Sequence, residues 1–137
     1  MSTNAVIPCA GFVVLSQDMK NVVIVSTHAN NLGYPKGKRN RFESYMQTAL
    51  RELEEETGLT CNEINIVENV FFDEMSIRGH PATRYFVALI KDEHTEFFFD
   101  EEELEDVCWM KCDELFESDH FRDTRKMILK EVLTVLA

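Results

Sequence analysis

Apolar positions come in short runs along the chain, and the spacing changes from run to run. Residues 6–16, VIPCAGFVVLS, are nearly unbroken apolar, and NVVIVST (21–27) repeats the pattern after a QDMKN turn. β-Branched residues suit a pleated, buried surface, so the two runs predict consecutive strands. The pattern then lapses: HANNLGYPKGKRNRF (28–42), with its Gly, Pro and Asn residues, predicts a long loop, and loops of that length in small domains are often functional. From Ser44 to Thr57 the period becomes helical. Tyr45, Met46, Ala49, Leu50 and Leu53 form an apolar stripe, Ser44 stands at the N-cap, and Gly58 stands just past the end. INIVENVFFDEMSI (64–77) and ATRYFVALI (82–90) predict two strands joined by RGHP turn residues, and DVCWMK (106–111) a short last strand. CDELF and then residues 119–137 predict helices, the second turning Met127, Ile128, Val132 and Leu136 inward. This order predicts an α/β domain with a mixed β-sheet between helices.

A chain of 137 residues, 45% apolar and without repeat or linker, predicts a single domain over 1–137. The net charge of −11 excludes a surface that binds polyanions generally, so no DNA partner is expected. A phosphate-bearing ligand then needs a local basic patch or a bound metal. Cys9, Cys61, Cys108 and Cys112 form no CxxC pair and read as free thiols. The apolar stretch 5–15 is interrupted by Pro8, follows no positive charge and is too short to span a bilayer, so a cytoplasmic setting without a membrane partner is expected.

On the helix, Glu52, Glu55 and Glu56 are three and four apart and can point into one space. One reading is a solvated acidic face. The other is a site for a hard divalent cation, Mg²⁺ or Mn²⁺, with Arg51 orienting the carboxylates. Lys36, Lys38, Arg39 and Arg41 make a basic cluster just before the helix, and Gly33 and Gly37 let backbone amides approach a ligand. A basic loop beside a carboxylate nest suits a metal-bound polyphosphate. On the hairpin, Arg78, His80 and Arg84 are either solvated or phosphate contacts.

Residues 37–59 fill every defined position of G-x5-E-x7-R-E-U-x-E-E-x-G-U, U being apolar: Gly37, Glu43, Arg51, Glu52, Leu53, Glu55, Glu56, Gly58 and Leu59. This resembles the signature of the Nudix hydrolases. The resemblance implies an α/β/α sandwich and Mg²⁺- or Mn²⁺-dependent hydrolysis of a nucleoside diphosphate linked to another moiety. It implies Glu52, Glu55 and Glu56 as metal ligands, Glu55 and Arg51 among the catalytic residues, Glu43 as an orienting partner, and Gly37 and Gly58 as positions of special backbone geometry. The PKGK sequence is similar to the dinucleoside polyphosphate hydrolase and mRNA-decapping branches, which implies a small nucleoside polyphosphate or an RNA 5′ end as substrate. In those branches a functional Glu stands six residues before a Trp; from Trp109 that offset gives Glu103, with a neighbour in the acidic run as the alternative. Tyr85 falls where many relatives stack a base, its other reading being a packed strand residue. Diphosphoinositol polyphosphates remain a further substrate class, and an inactive nucleotide- or RNA-binding module a further function.

Overall fold

A computed structural model describes residues 6–137. One mixed sheet holds β1 (Cys9–Leu15), β2 (Asn21–Ser26), β3 (Leu32–Gly33), β4 (Lys36–Lys38), β5 (Ile64–Met75), β6 (Pro81–Ile90) and β7 (Asp106–Lys111). The helices are α1 (Tyr45–Thr57), α2 (Cys112–Glu117) and α3 (Asp123–Leu136). β1 runs parallel to β6 from Cys9↔Thr83 to Leu15↔Leu89, and the other strand pairings are antiparallel. Strand alternation sends successive side chains to opposite faces. Phe12, Val14, Val23, Val25 and Ala88 meet Ala49 and Leu53 of α1, while Val13, Leu15, Ile24 and Val87 meet Ile128, Leu129 and Val132 of α3. The predicted α/β/α layering follows from this two-sided burial.

β1 and β2 leave their hairpin at Leu15↔Val22 and then diverge. Residues 32–38 fill the opening: β3 pairs with β2, and β4 pairs with β1 from Cys9↔Lys38 to Gly11↔Lys36. Between them the Pro35 carbonyl accepts from the Phe12 amide at 3.0 Å. Gly11 permits this approach, since a Cβ there would lie 2.2 Å from that oxygen. The predicted long loop therefore carries two short strands, held by their partners rather than by any pattern of their own. β5 slips register between Ile66↔Ala88 and Phe71↔Phe86, which bulges the residues between. The last helix also differs from expectation. It begins at Asp123, and it turns Arg125, Ile128, Leu129 and Val132 inward while Met127 is exposed. Its phase is fixed by Arg125, whose ion pair with Glu74 draws that side of the helix to the sheet.

Candidate active site

α1 is fixed at both ends before it offers any chemistry. The Ser44 hydroxyl accepts from the Gln47 amide at 3.1 Å and the Gln47 carboxamide accepts from the Ser44 amide at 2.8 Å, a reciprocal capping box. Gly58 ends the helix at φ 80°, donating to the Glu54 carbonyl at 2.8 Å. With Ala49 and Leu53 buried, Glu52, Glu55 and Glu56 are left along the helix edge facing β4 and the 100–104 turn.

Arg51 organises that edge. Its Nε donates to Glu43 Oε2 at 2.8 Å and its Nη2 to Glu43 Oε1 at 3.0 Å, a two-pronged pair that fixes the guanidinium plane. Its Nη1 then reaches Glu52 at 2.8 Å and Glu55 at 3.1 Å, and its Nη2 also donates to the Lys38 carbonyl at 2.9 Å. Glu43 further accepts from the Asn40 amide and the Thr48 hydroxyl, each at 2.9 Å. Arg51 first, and these donors after it, hold the Glu43 carboxyl down at about 2. Glu43 is thus a permanent anion whose work is to aim Arg51.

Glu52 lies against Gly37, where a Cβ would stand 2.0 Å from its carboxyl carbon; the glycine is the space this side chain occupies. Burial raises the Glu52 carboxyl. Glu56 accepts from the Lys36 amide at 2.9 Å, yet burial, with repulsion from Glu52 and Glu103 behind it, lifts its carboxyl to about 7. Glu103 sits exposed on the turn at 101–103, and the Phe98 amide secures that segment to the end of α1 by donating to the Thr57 carbonyl at 2.9 Å. Among the described residues, no three His, Cys, Asp or Glu side chains converge as they lie on an ion-sized space. Arg51 takes up Glu52 and Glu55, and the Lys36 amide takes up Glu56. The donor set nevertheless fits a hard divalent cation. It is all oxygen, it comes from one helix edge, and it includes a half-buried carboxylate destabilised as an anion by burial first and by its acidic neighbours after it, the condition a bound cation relieves.

Glu56 also lines a cavity of about 160 Å³, together with Leu104, Lys36, Arg122 and Arg125. A larger cleft of about 750 Å³ shares the last three and runs between the Met75–Arg78 end of the β5–β6 hairpin and the first turn of α3. The two hollows are neighbours that share these three cations, and Glu56 is the site glutamate that lines one of them.

The sequence matches the NUDIX domain model over residues 7–130. The chain belongs to the NUDIX family. It is 37% identical over 83 residues to mRNA decapping complex subunit 2 of Schizosaccharomyces pombe, an alignment that covers 59% of this chain and 11% of that protein. It is 32% identical over 100 residues to the asymmetrical bis(5′-nucleosyl)-tetraphosphatase of Sus scrofa, covering 71% of this chain and 66% of that one. The chain thus spans about a tenth of the decapping subunit's length and just under two thirds of the tetraphosphatase's. In solved structures it resembles a C. elegans Ap4A hydrolase binary complex, with a TM-score of 0.82 at 17% identity over 93% of this chain and 97% of that one, a likeness of fold.

Within this Nudix fold the predicted site residues separate. Glu43, Arg51, Glu52 and Glu55 form one bonded cluster, with Gly37 against Glu52, while Glu56 and Lys36 turn to the cavity. Lys38, Arg39 and Arg41 line neither hollow. Arg39 donates to the Glu43 carbonyl at 2.6 Å and lies over the Tyr45 ring, and Arg41 lies over Phe42. Arg84 is bound to Asp73 and stacked on Phe71, whereas Arg78 stands on the cleft wall. Tyr85 is corrected outright. It is fully buried, edge-on to Tyr34, with its hydroxyl donating to Glu74 at 3.2 Å, so no base can stack on it. Arg122 and Arg125 escaped the sequence reading, because a helix judged by its apolar stripe shows nothing of the cleft that its first turn enters.

Proposed function

We propose that the chain is a metal-dependent Nudix hydrolase that cleaves a phosphoanhydride in a substrate where a polyphosphate joins two nucleoside-like ends, as in a dinucleoside polyphosphate or a capped RNA 5′ end. One observation carries this reading: the carboxylate edge, through Glu56 and its partner Lys36, lies beside a cation-lined cleft on a chain of net charge −11. A long anion fits the cleft, and hydrolytic chemistry fits its carboxylate end. The tetraphosphatase alignment, which covers most of this chain, supports a dinucleoside polyphosphate first.

Glu52, Glu55 and Glu56 would hold Mg²⁺ or Mn²⁺. Such an ion, when bound, activates water and neutralises phosphoryl charge. The protein's own groups do the rest. Arg51, aimed by Glu43, sets where the Glu52 and Glu55 carboxylates point. Lys36 holds Glu56 through its amide and offers its ammonium to the substrate's phosphates from the same position. Glu103, near enough to Glu56 to add to the repulsion on it, would accept a proton at its oxygens from the attacking water. A cytoplasmic setting, where the four cysteines stay as thiols, belongs to this reading.

The test is hydrolysis of diadenosine tetraphosphate, capped RNA and diphosphoinositol phosphate, each with Mg²⁺ or with excess chelator. Turnover of the first two, lost in chelator and reduced about 10²-fold or more in Glu55→Gln, is expected. Glu103→Gln should lower kcat while Glu102→Gln leaves it near wild type. Undiminished turnover in chelator overturns the mechanism, and binding of substrate without turnover makes the chain a binding module.

A further inference from the structure

The turn that carries Glu103 is densely acidic. Six of the seven residues from Asp100 to Asp106 are Asp or Glu. Like charges at that density push a turn outward into solvent. Its internal bonds are short-range. The Asp100 carbonyl accepts from the Glu103 and Leu104 amides, each at 3.0 Å, and the Asp100 carboxylate accepts from the Glu102 amide at 2.9 Å. These bonds fix the shape of the turn but not where it sits. Its second end is anchored, since Leu104 is buried and the Glu105 amide donates to the Ser26 carbonyl at 2.8 Å.

His28 ties the turn to a second loop. Its Nδ1 lies 2.7 Å from Glu105 Oε2 and its Nε2 lies 3.0 Å from the Glu101 carbonyl oxygen. Both partners only accept, so each ring nitrogen bonds by donating an N–H. One ring thereby spans both flanks of Glu103, two residues before it and two after it. The ring is carried on a closed turn between β2 and β3. There the Thr27 amide donates to the Asn31 carbonyl at 3.0 Å, the Asn30 amide to the Thr27 carbonyl at 2.9 Å and the Asn31 amide to the Thr27 hydroxyl at 3.2 Å. Thr27 and Asn31 of that turn, and Leu104 of the acidic one, line the same hollow as Glu56. The two turns that His28 joins thus border the glutamate site together.

We propose that His28 is a positioning residue: by bridging Glu101 and Glu105 it holds the intervening Glu103 carboxylate at the glutamate edge of α1, where it takes the proton of the attacking water. This role rests on Glu103 as the proton acceptor proposed above. The bridge contributes little to folding, because His28 and Glu105 are both exposed and ion pairs at such exposure add little. What it restricts is the spread of positions open to the turn, and a misplacement of about 1 Å can slow catalysis about 10²-fold.

Two measurements separate the bridge from its use. Amide hydrogen exchange reads the bridge directly. His28→Ala should speed exchange of the Glu103, Leu104 and Glu105 amides severalfold, leave α1 unchanged and keep Tm within about 2 °C of wild type. Unchanged protection of the turn in His28→Ala overturns the bridge whatever the kinetics. Hydrolysis of diadenosine tetraphosphate with Mg²⁺ reads the use. His28→Ala should lower kcat about tenfold with KM unchanged, and His28→Gln, which keeps one N–H donor, should recover part of the loss. In a Glu103→Gln background His28→Ala should lower kcat no further, because the group it positions is already gone. The same fractional loss in both backgrounds overturns the inference. So does wild-type kcat in His28→Ala beside a slow Glu103→Gln, a result that leaves the hydrolase reading standing. Wild-type kcat in Glu103→Gln, or no turnover of any substrate in the panel, overturns the reading of the site and the positioning role with it.

Discussion

Gly37 and Tyr85 show how much one side chain's position decides. The volume a Gly37 Cβ would need is taken by the Glu52 carboxyl group, 2.0 Å from that point. Gly37→Ala must therefore push aside the end of a flexible side chain. That is cheap for the fold and costly for the site. Its Tm should stay within a few degrees of wild type while kcat falls by about 10²-fold, comparable to losing a carboxylate outright. A variant of normal kcat would mean that Glu52 can work from elsewhere. Tyr85 behaves in the opposite way. Its hydroxyl is one of the donors on buried Glu74. Tyr85→Phe should cost ~1–2 kcal/mol of stability by denaturant titration and leave KM for nucleotide substrates unchanged. A large rise in KM at unchanged stability would put the ring back at the substrate.

At the scale of elements, α1 is the part whose sequence and structure agree most closely, and the reason is local. Its stripe, its Ser44 cap and its Gly58 stop are all written within a few residues of where they act. Ser44→Ala removes one half of the capping box and should destabilise the fold by ~1 kcal/mol, read as a lower denaturation midpoint at unchanged slope. An effect within error would show that packing of Ala49 and Leu53 alone sets the helix start. β1 and β2 were legible for a similar reason, since buried strands rich in β-branched residues announce themselves. β3 and β4 were not. Strands of two and three residues have no period, and they exist because β1 and β2 part and leave amides to satisfy. The site divides along the same line. Spacing on one helix brings out Glu52, Glu55 and Glu56. Arg125 is buried through Glu74 on another strand, and the exposure of Met127 follows from that pairing, so neither could be read from α3 by itself. Likewise the basic loop is basic in composition, but only Lys36 of its four cations faces the hollows.

For the molecule as a whole, the proposed metal would compete with protons for the same carboxylates, and the protons alone already set how stability follows pH. Glu43 has a carboxyl lowered to about 2, so its contribution is present above the ordinary carboxylate range and is lost as pH falls toward 2. Glu56 acts in the other sense. Its carboxyl is raised to about 7, so the folded chain holds a proton that the unfolded chain releases. That contribution is full below about 4.5, declines through the interval and is gone above about 7. In chelator, Tm should therefore be lower at pH 8.5 than at pH 5.5, and the general repulsion of a chain with net charge −11 adds to the same trend. Glu56→Gln separates the two contributions, because it keeps the acidic background and removes this one titration. Its fall in Tm between the two pH values should be smaller than that of wild type. Mg²⁺ should raise wild-type Tm more at pH 8.5, where Glu56 is free to bind it, than at pH 5.5, where a proton must leave first. Calorimetry in two buffers of different ionisation heat should show proton release on Mg²⁺ binding near pH 6.5 and almost none at pH 8.5. Equal Mg²⁺ stabilisation at both pH values, or a pH step that survives Glu56→Gln unchanged, would remove Glu56 from the metal-binding set and leave the carboxylate edge as a network held by Arg51 alone.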